Sequence, residues 1–168
     1  MASALATFEE SLASLSVGRT RTTSGEFADA LAGVIDLPAV GTPLPYDGVS
    51  LDATDVQVDP TPDQLQAATT GVTPVGGAIA EHGTVLVESR PDGDELVSLY
   101  PARHVAVLRM SDLRQDVSAA IPRLGETLAA GTDSTVLATG ASATADMGET
   151  IEGVHGPTEV HVVVLTDR

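Results

Sequence analysis

The sequence predicts an α/β fold with an open, largely parallel sheet flanked by helices. Four short runs of apolar or β-branched residues are typical of strands that are covered on both faces, at residues 84–87, 104–108, 135–138 and 161–165. Helices are predicted from apolar spacing or from capping residues at residues 4–15, 23–35 and 111–128. Because strands and helices alternate along the chain, most of the strands are expected to run parallel.

Capping residues place the ends of the longer helices. Thr23 and Glu26 have the spacing of a capping box, so a helix is expected to begin there and to run to about residue 35. Residues 19–22, just before it, are expected to form a polar connection. Ser111 is expected to cap the last helix, and Pro122 should kink or divide that helix because proline lacks a backbone N–H.

Shorter elements are predicted between the second helix and the last one. A strand is expected at residues 39–44, followed by a turn-rich segment at residues 45–50. Thr61 and Pro62 provide a cap and a first-turn proline for a brief helix at residues 64–68. The Pro-Asp-Gly-Asp sequence at residues 91–94 is typical of a turn.

Length and cysteine content limit the organisation and the chemistry. Residues 1–168 are expected to form a single domain, with residues 1–36 as a helical N-terminal segment. The chain has no cysteine, which excludes disulfides, thiol nucleophiles and iron–sulfur clusters bound by its own thiolates. No run approaches the roughly 18 apolar residues of a membrane span. We therefore expect a cytoplasmic protein that binds no cofactor or metal itself and has no membrane span.

Acidic residues dominate the charge of the chain. The formal net charge is -16, and all 8 basic residues are arginine. A surface of this sign repels phosphate groups, so nucleic acid and anionic membranes are not expected as partners. The absence of lysine, together with only 2% aromatic residues, is typical of halophilic proteins from a salt-rich cytoplasm. An ordinary acidic protein from a moderate host is the alternative interpretation.

The halophilic interpretation predicts a stability that depends on salt. Acidic surface charges repel one another, and the screening length falls from about 30 Å at about 0.01 M salt to about 3 Å at about 1 M. Thermal melting should therefore occur at a clearly lower temperature in about 0.05 M KCl than in about 2 M KCl. Equal melting temperatures at both concentrations would refute the halophilic interpretation.

Small residues cluster in three segments where predicted strands should end, at residues 71–84, 139–149 and 153–157. Ligands of open α/β sheets bind beyond the carboxyl ends of the strands. Glycine in such a place lets backbone amides approach an anion closely, whereas the alternative role of these residues is in tight turns and caps. The chain has no Walker loop, GxGxxG fingerprint or GxSxG elbow, so nothing supports nucleotide binding or serine hydrolysis.

Four motifs in register resemble the LutC/YkgG (LUD domain) family. Residues 71–84 begin with GVT and end with AIAEHGT, which resembles the family's "VTG…AIAETGT" segment. Residues 99–105 read LYPARHV and are similar to "LLPPVHI". Residues 139–147 read TGASATADM and resemble "TGPSRTADI", and residues 153–162 read GVHGPTEVHV and resemble "GVHGPxxLHV".

The resemblance implies a fold like that of NagB, RpiA and CoA transferases. It also implies a place beside two partner subunits, LutA-like and LutB-like, in the oxidation of L-lactate to pyruvate. Iron–sulfur clusters are expected on those partners, in keeping with the absence of cysteine in this chain. The cleft of this chain is expected to bind a small carboxylate or a surface loop of a partner.

The candidate catalytic residues lie in these motifs. Glu81, Asp146 and His155 are predicted to exchange protons, since carboxylates and imidazoles can be tuned for that purpose. For Glu81 the alternative is a solvent-facing acid at a strand end, and for Asp146 the alternatives are a helix cap and a ligand of a cation. His104 and His161 lie within apolar strands, where a structural role is expected.

The candidate substrate-binding residues share a small side chain, a hydroxyl group or a turn conformation: Gly83, Thr84, Gly140, Ser142, Thr144, Gly153, Gly156 and Pro157. Parallel strands end at the same edge of a sheet, so loops that are distant in sequence gather there. We therefore expect five side chains to share one cleft at the carboxyl edge: Glu81, Ser142, Thr144, Asp146 and His155.

Several departures from the family pattern leave other functions open. His82 stands where the family has threonine, Ala141 replaces a proline, Ala143 replaces a basic residue, and Gly148 loosens the following acidic position. A stand-alone isomerase or acyl transferase acting on a phosphorylated or CoA-linked metabolite is one alternative. A regulatory binding module is another. The enzyme alternative requires a basic phosphate site, and none of the arginines lies in the three glycine-rich segments.

Overall fold

The computed structural model describes residues 2–146, 149–152 and 155–168, and only the backbone of residues 2–3, 144–146 and 149–152. The helices are α1 (Ala2–Ser14), α2 (Phe27–Ala32), α3 (Pro62–Ala67), α4 (Asp94–Leu99) and α5 (Val117–Ala129). The strands are β1 (Gly18–Thr22), β2 (Ala39–Gly41), β3 (Val56–Val58), β4 (Thr70–Pro74), β5 (Gly77–Ile79), β6 (Thr84–Glu88), β7 (Arg103–Arg109), β8 (Leu113–Arg114), β9 (Thr135–Thr139), β10 (Ala143–Asp146), β11 (Glu149–Glu152) and β12 (Glu159–Leu165). None of the described helices is long and apolar enough to cross a membrane.

The main sheet has six strands, all parallel, in the order β1, β12, β7, β4, β2, β3. Strand β7 lies inside the sheet, and its residues 104–108 are all buried. Because helices or a second sheet cover both faces, these residues form a continuous apolar run and do not alternate with polar ones. The predicted α/β fold with an open, largely parallel sheet flanked by helices is therefore confirmed.

The two faces of the main sheet carry different layers. On one face, Phe27 and Leu31 of α2 pack against Val105 and Val107 of β7. On the other face, alternate strand residues such as Leu108 pack against α1 and against a smaller sheet. The alternation follows from the period of two residues along a strand, which sends successive side chains to opposite faces.

The smaller sheet has four strands in the order β8, β5, β6, β9, with β6 antiparallel to both β5 and β9. Its inner side packs on the main sheet, and its outer side is covered by α5, where Ala120 contacts a cluster that includes Ile79 and Leu86. Strands β10 and β11 form a separate antiparallel hairpin.

The N-terminal segment contains a strand that the sequence did not predict. Residues 19–22 were expected to form a polar connection, but they belong to β1, which pairs in parallel with β12 from Gly18 opposite His161 to Thr22 opposite Leu165. The backbone pairing with β12 holds these residues in an extended conformation. Their polar side chains are tolerated because an edge strand buries only part of its surface. Strands β3, β4 and β5 were also not predicted.

The helix boundaries differ from the prediction where tertiary pairing intervenes. The last helix begins after Asp116, whose carboxylate accepts the Ala119 N–H at 2.8 Å, and not at Ser111. Ser111 lies in a 3-10 turn before β8, which pairs with β5. Pro122 does not divide α5, which runs as one helix. A helix, α4, follows the predicted turn at residues 91–94.

The predicted capping box at Thr23 does not form. The Thr23 side chain bonds to no backbone N–H of the following turn, and its hydroxyl lies 3.2 Å from the Glu26 carboxylate. By contrast, Thr61 caps α3 with a complete box, in which the side chains of Thr61 and Gln64 each accept the other's backbone N–H.

Candidate functional site

A cavity of about 310 Å³ lies between the main sheet, the smaller sheet, α1 and α4. Its walls include Val85 and Val87 of β6, Val160 and Val162 of β12, and Leu99 of α4, and we call it the apolar cavity. Its volume is at the lower end of the range of small-molecule sites, about 300 to 1,000 Å³.

The shared cleft was predicted at the carboxyl edge of the parallel sheet, but the apolar cavity lies elsewhere. It contacts the second residue of β7, His104, and the loop that leads into β12. These are the amino-terminal ends of the strands. The cavity arises because the antiparallel pair β6 and β9 packs over this end of the main sheet, which the rule for parallel strands does not consider.

All three glycine-rich segments reach the wall of the apolar cavity, and the second and third of them contact each other directly. The Ser142 N–H donates to the Pro157 carbonyl at 2.8 Å. A Cβ atom on Gly156 would lie 3.2 Å from the Cβ of Ser142, so the absence of a side chain permits this close approach. Gly140 has a φ of +73°, which glycine adopts more readily than other residues.

Six predicted site residues therefore line one cavity: Gly83, Gly140, Ser142, His155, Gly156 and Pro157. Their roles in catalysis or binding stay predictions. Thr144 and Asp146 lie in β10, but their side chains are outside the described part of the chain. Gly153 is outside the described residues.

Glu81 and Thr84 are not among the residues that line the apolar cavity. The Glu81 carboxylate accepts the N–H of Val117, the first residue of α5, at 3.2 Å and lies 3.2 Å from Nε2 of His82. A carboxylate at the N-terminus of a helix is favoured by the helix dipole. The Thr84 hydroxyl lies 2.7 Å from that of Thr139 on the neighbouring strand.

His104 is a buried residue of the cavity wall for which a structural role was expected. Its Nε2 atom lies 2.8 Å from the Thr73 hydroxyl. Burial lowers the pKa of His104 to about 4, so the imidazole is neutral at pH 7. The wall also includes Glu95 and Ser98 of α4, which were not predicted as site residues because only the turn before them, at residues 91–94, was expected from the sequence.

His161 points to the opposite side of β12 from the cavity-lining Val160 and Val162 and has the structural contacts expected of it. Its Nε2 atom lies 2.9 Å from the Thr20 hydroxyl on β1. Partial burial and the neighbouring Arg103 guanidinium lower its pKa. Among the described side chains, no group of three or more His, Asp or Glu residues is arranged to hold a metal ion.

Comparison with known proteins assigns the family. Residues 17–165 match the model of the LUD domain. The chain belongs to the LUD domain family. This result confirms the resemblance that the four motifs carried.

This LUD domain is similar to one known protein in sequence and to one solved structure in fold. The chain is 29% identical over 166 residues to the lactate utilization protein C of Deinococcus radiodurans. The alignment covers 94% of this chain and 77% of that protein. A DUF162 family protein from Deinococcus radiodurans, with a crystal structure at 1.70 Å resolution, has the same fold. The TM-score is 0.79 and the identity 24%, over 98% of each chain.

All four motifs of this LUD domain contribute to the apolar cavity. Gly83 comes from the first motif, His104 from the second, Ser142 from the third and Gly156 from the fourth. Most of the remaining wall is aliphatic, and no arginine is among its described residues. The cavity can therefore enclose an apolar group and offer a few hydrogen bonds to it, from hydroxyls and a neutral imidazole.

Proposed function

We propose that this LUD domain acts in lactate utilization as a subunit without an iron–sulfur cluster. In this proposal, LutA-like and LutB-like partners carry the clusters and take part in the oxidation of L-lactate to pyruvate. The observation that carries the proposal is the 29% identity to lactate utilization protein C across 94% of the chain. The absence of cysteine supports the division of labour, because iron–sulfur clusters are held mainly by cysteine thiolates.

The walls of the apolar cavity favour one of the two occupants expected from the sequence. A carboxylate would enter beside Glu95 without an arginine among the described wall residues. The neutral His104 adds no positive charge. An apolar loop of a partner subunit meets neither difficulty, since burial of its side chains against aliphatic walls is favourable. The apolar cavity is therefore proposed as a contact for a partner.

Leu99 provides a test of this contact. It lines the apolar cavity and is 39% exposed, so an aspartate there should not prevent folding. A tagged chain purified from its native host should bring with it iron-containing, cysteine-rich subunits, and the assembly should reduce an added dye with L-lactate. In Leu99→Asp, recovery of the partner subunits should fall about tenfold or more, because a charge would be buried at an apolar contact.

The matched control is Leu96→Asp. Leu96 lies on the same helix, is 56% exposed and is not part of the cavity wall. This variant should recover the partners as the wild type does. Purification of the wild type without iron-containing subunits, or an assembly inert toward L-lactate, would refute the proposed function. An equal loss in both variants would refute the assignment of the apolar cavity to the contact.

A further inference from the structure

A second cavity, of about 80 Å³, lies at the carboxyl edge of the main sheet. It contacts Pro74, the last residue of β4, and Arg109, the last residue of β7. Arg90 and Arg123 also line it, and we call it the arginine cavity. Three of the 8 basic residues of a chain with a net charge of -16 thus gather at one cavity, from β7, from α5 and from the loop between β6 and α4.

One buried carboxylate, that of Asp112, holds two of these arginines in place. Asp112 accepts from Nε of Arg109 at 2.6 Å with one oxygen and lies 3.3 Å from Nη2 of Arg123 with the other. Arg123 also donates from Nε to the Gly76 carbonyl at 3.0 Å. The Arg109 guanidinium lies 5.2 Å from the centre of the Tyr46 ring, a stacking distance that orients it further.

The third arginine, Arg90, forms ion pairs with two other carboxylates, those of Asp92 and Asp94. Arg90 is paired with Asp94, whose side chain is only 1% exposed, and donates to the Pro43 carbonyl at 2.8 Å. Arginine side chains fixed in this way lose little further conformational entropy when they bind a ligand.

Hydrogen-bonding capacity is left over in this cavity. The Nη1 groups of Arg90 and Arg123 and both Nη groups of Arg109 donate no hydrogen bond to another described residue. Glu88 lines the same cavity, and among the described residues its carboxylate has neither a hydrogen bond nor an ion pair. A Cβ atom on Gly76 would lie 1.9 Å from Oε1 of Glu88, so glycine there makes room for that carboxylate.

We infer that the arginine cavity binds a small hydroxycarboxylate. Its carboxylate would accept hydrogen bonds from the Nη groups of Arg109 and Arg123 that donate to no described residue, because guanidinium groups recognise carboxylates well. Its hydroxyl would donate to Glu88. A bound water needs about 10–15 Å³ of such space, so 80 Å³ takes about half a dozen non-hydrogen atoms, the size of lactate. The site is argued from geometry alone, whereas L-lactate as its natural occupant rests on the proposed function.

Calorimetry on the isolated full chain, at one fixed KCl concentration, tests the inference with L-lactate, propionate and inorganic phosphate as probes. L-lactate should bind, and propionate, which lacks the hydroxyl, should bind about tenfold more weakly because Glu88 stays unpaired. Tighter binding of phosphate than of L-lactate would overturn the inference in favour of a phosphoryl site. The absence of binding by L-lactate would overturn it as well.

Variants locate the bound probe. Arg109→Gln and Arg123→Gln should each weaken L-lactate binding about tenfold or more. Asp112 keeps one arginine partner in each variant, so both proteins should fold, which thermal melting verifies. Arg114→Gln makes the same change in charge, but Arg114 donates to the Ser111 and Leu113 carbonyls and is not part of the cavity wall. Equal weakening in Arg114→Gln would refute the site.

Glu88→Met removes the acceptor proposed for the hydroxyl. The ratio of L-lactate affinity to propionate affinity should fall toward one. Loss of the negative charge changes both affinities in the same direction, because both probes are carboxylates, and so it does not affect this ratio. An unchanged ratio would refute the role of Glu88. Because the isolated chain is used, L-lactate binding by a chain that recruits no iron–sulfur subunit would keep this site and refute the proposed function.

Discussion

Gly71→Ala is expected to destabilise the folded protein by about 3 kcal/mol or more, or to prevent folding. A Cβ atom at this position would lie 2.0 Å from the Val97 carbonyl oxygen and 3.1 Å from Cγ of Pro101. Both β4 and α4 would have to move apart, because the nearer atom belongs to the backbone. Urea unfolding at fixed KCl measures the free energy of unfolding.

Gly125→Ala is the matched control. Gly125 lies within α5, and a Cβ atom there would meet nothing within 4 Å. Alanine should stabilise the protein by up to about 1 kcal/mol through its higher helix propensity. A Gly71→Ala protein as stable as the wild type would show that α4 does not pack on β4 as described. Glu95, Ser98 and Leu99 would then lose their assigned places in the apolar cavity.

The second large effect concerns the pH dependence of stability and depends on His104. Burial lowers its pKa from 6.5 to about 4 in the folded protein. Between these pH values the unfolded chain binds a proton that the folded protein does not. Stability should therefore fall as the pH is lowered from 6.5 to about 4. Since a tenfold difference in proton affinity corresponds to about 1.4 kcal/mol, the loss is about 3 kcal/mol.

Comparison of two histidine variants isolates this effect. His104→Gln should remove the corresponding part of the pH dependence in urea unfolding, while carboxylate titration contributes equally to variant and wild type. His82→Gln makes the same substitution at a histidine whose side chain is 58% exposed, so it controls for the change of residue type without the loss of a buried imidazole. A profile of His104→Gln that still falls as steeply as that of the wild type would refute the neutral, buried imidazole.

Strands could be predicted from the sequence where they form a continuous apolar run. The runs at residues 84–87, 104–108 and 161–165 are apolar because they are covered on both faces, and each is a strand in the structure. Strand β1 carries no such signal. Its polar residues are extended because they pair with β12, and a partner about 140 residues away leaves no trace in the local sequence.

The two cavities likewise have features that could be predicted from the sequence and features that could not. The motifs identified small residues at Gly83, Gly140, Ser142 and Gly156, and these residues do meet at the apolar cavity. These residues were predicted at the carboxyl edge of the sheet, but they lie at the amino-terminal ends of β7 and β12. The prediction was wrong because the rule for parallel strands does not apply to the antiparallel pair β6 and β9. None of the three glycine-rich segments contains an arginine, so no basic site was predicted from their residues.

The sequence by itself determined the family, the α/β class and the cysteine-free, acidic character of this LUD domain. Each of these properties is carried by short motifs, local periodicity or composition, which need no knowledge of distant contacts. Only the tertiary structure decided that Arg90, Arg109 and Arg123 share a cavity. Arg109 ends β7, Arg123 lies on α5 and Arg90 lies in the loop between β6 and α4, so only the packing of these distant parts of the chain brings their side chains together.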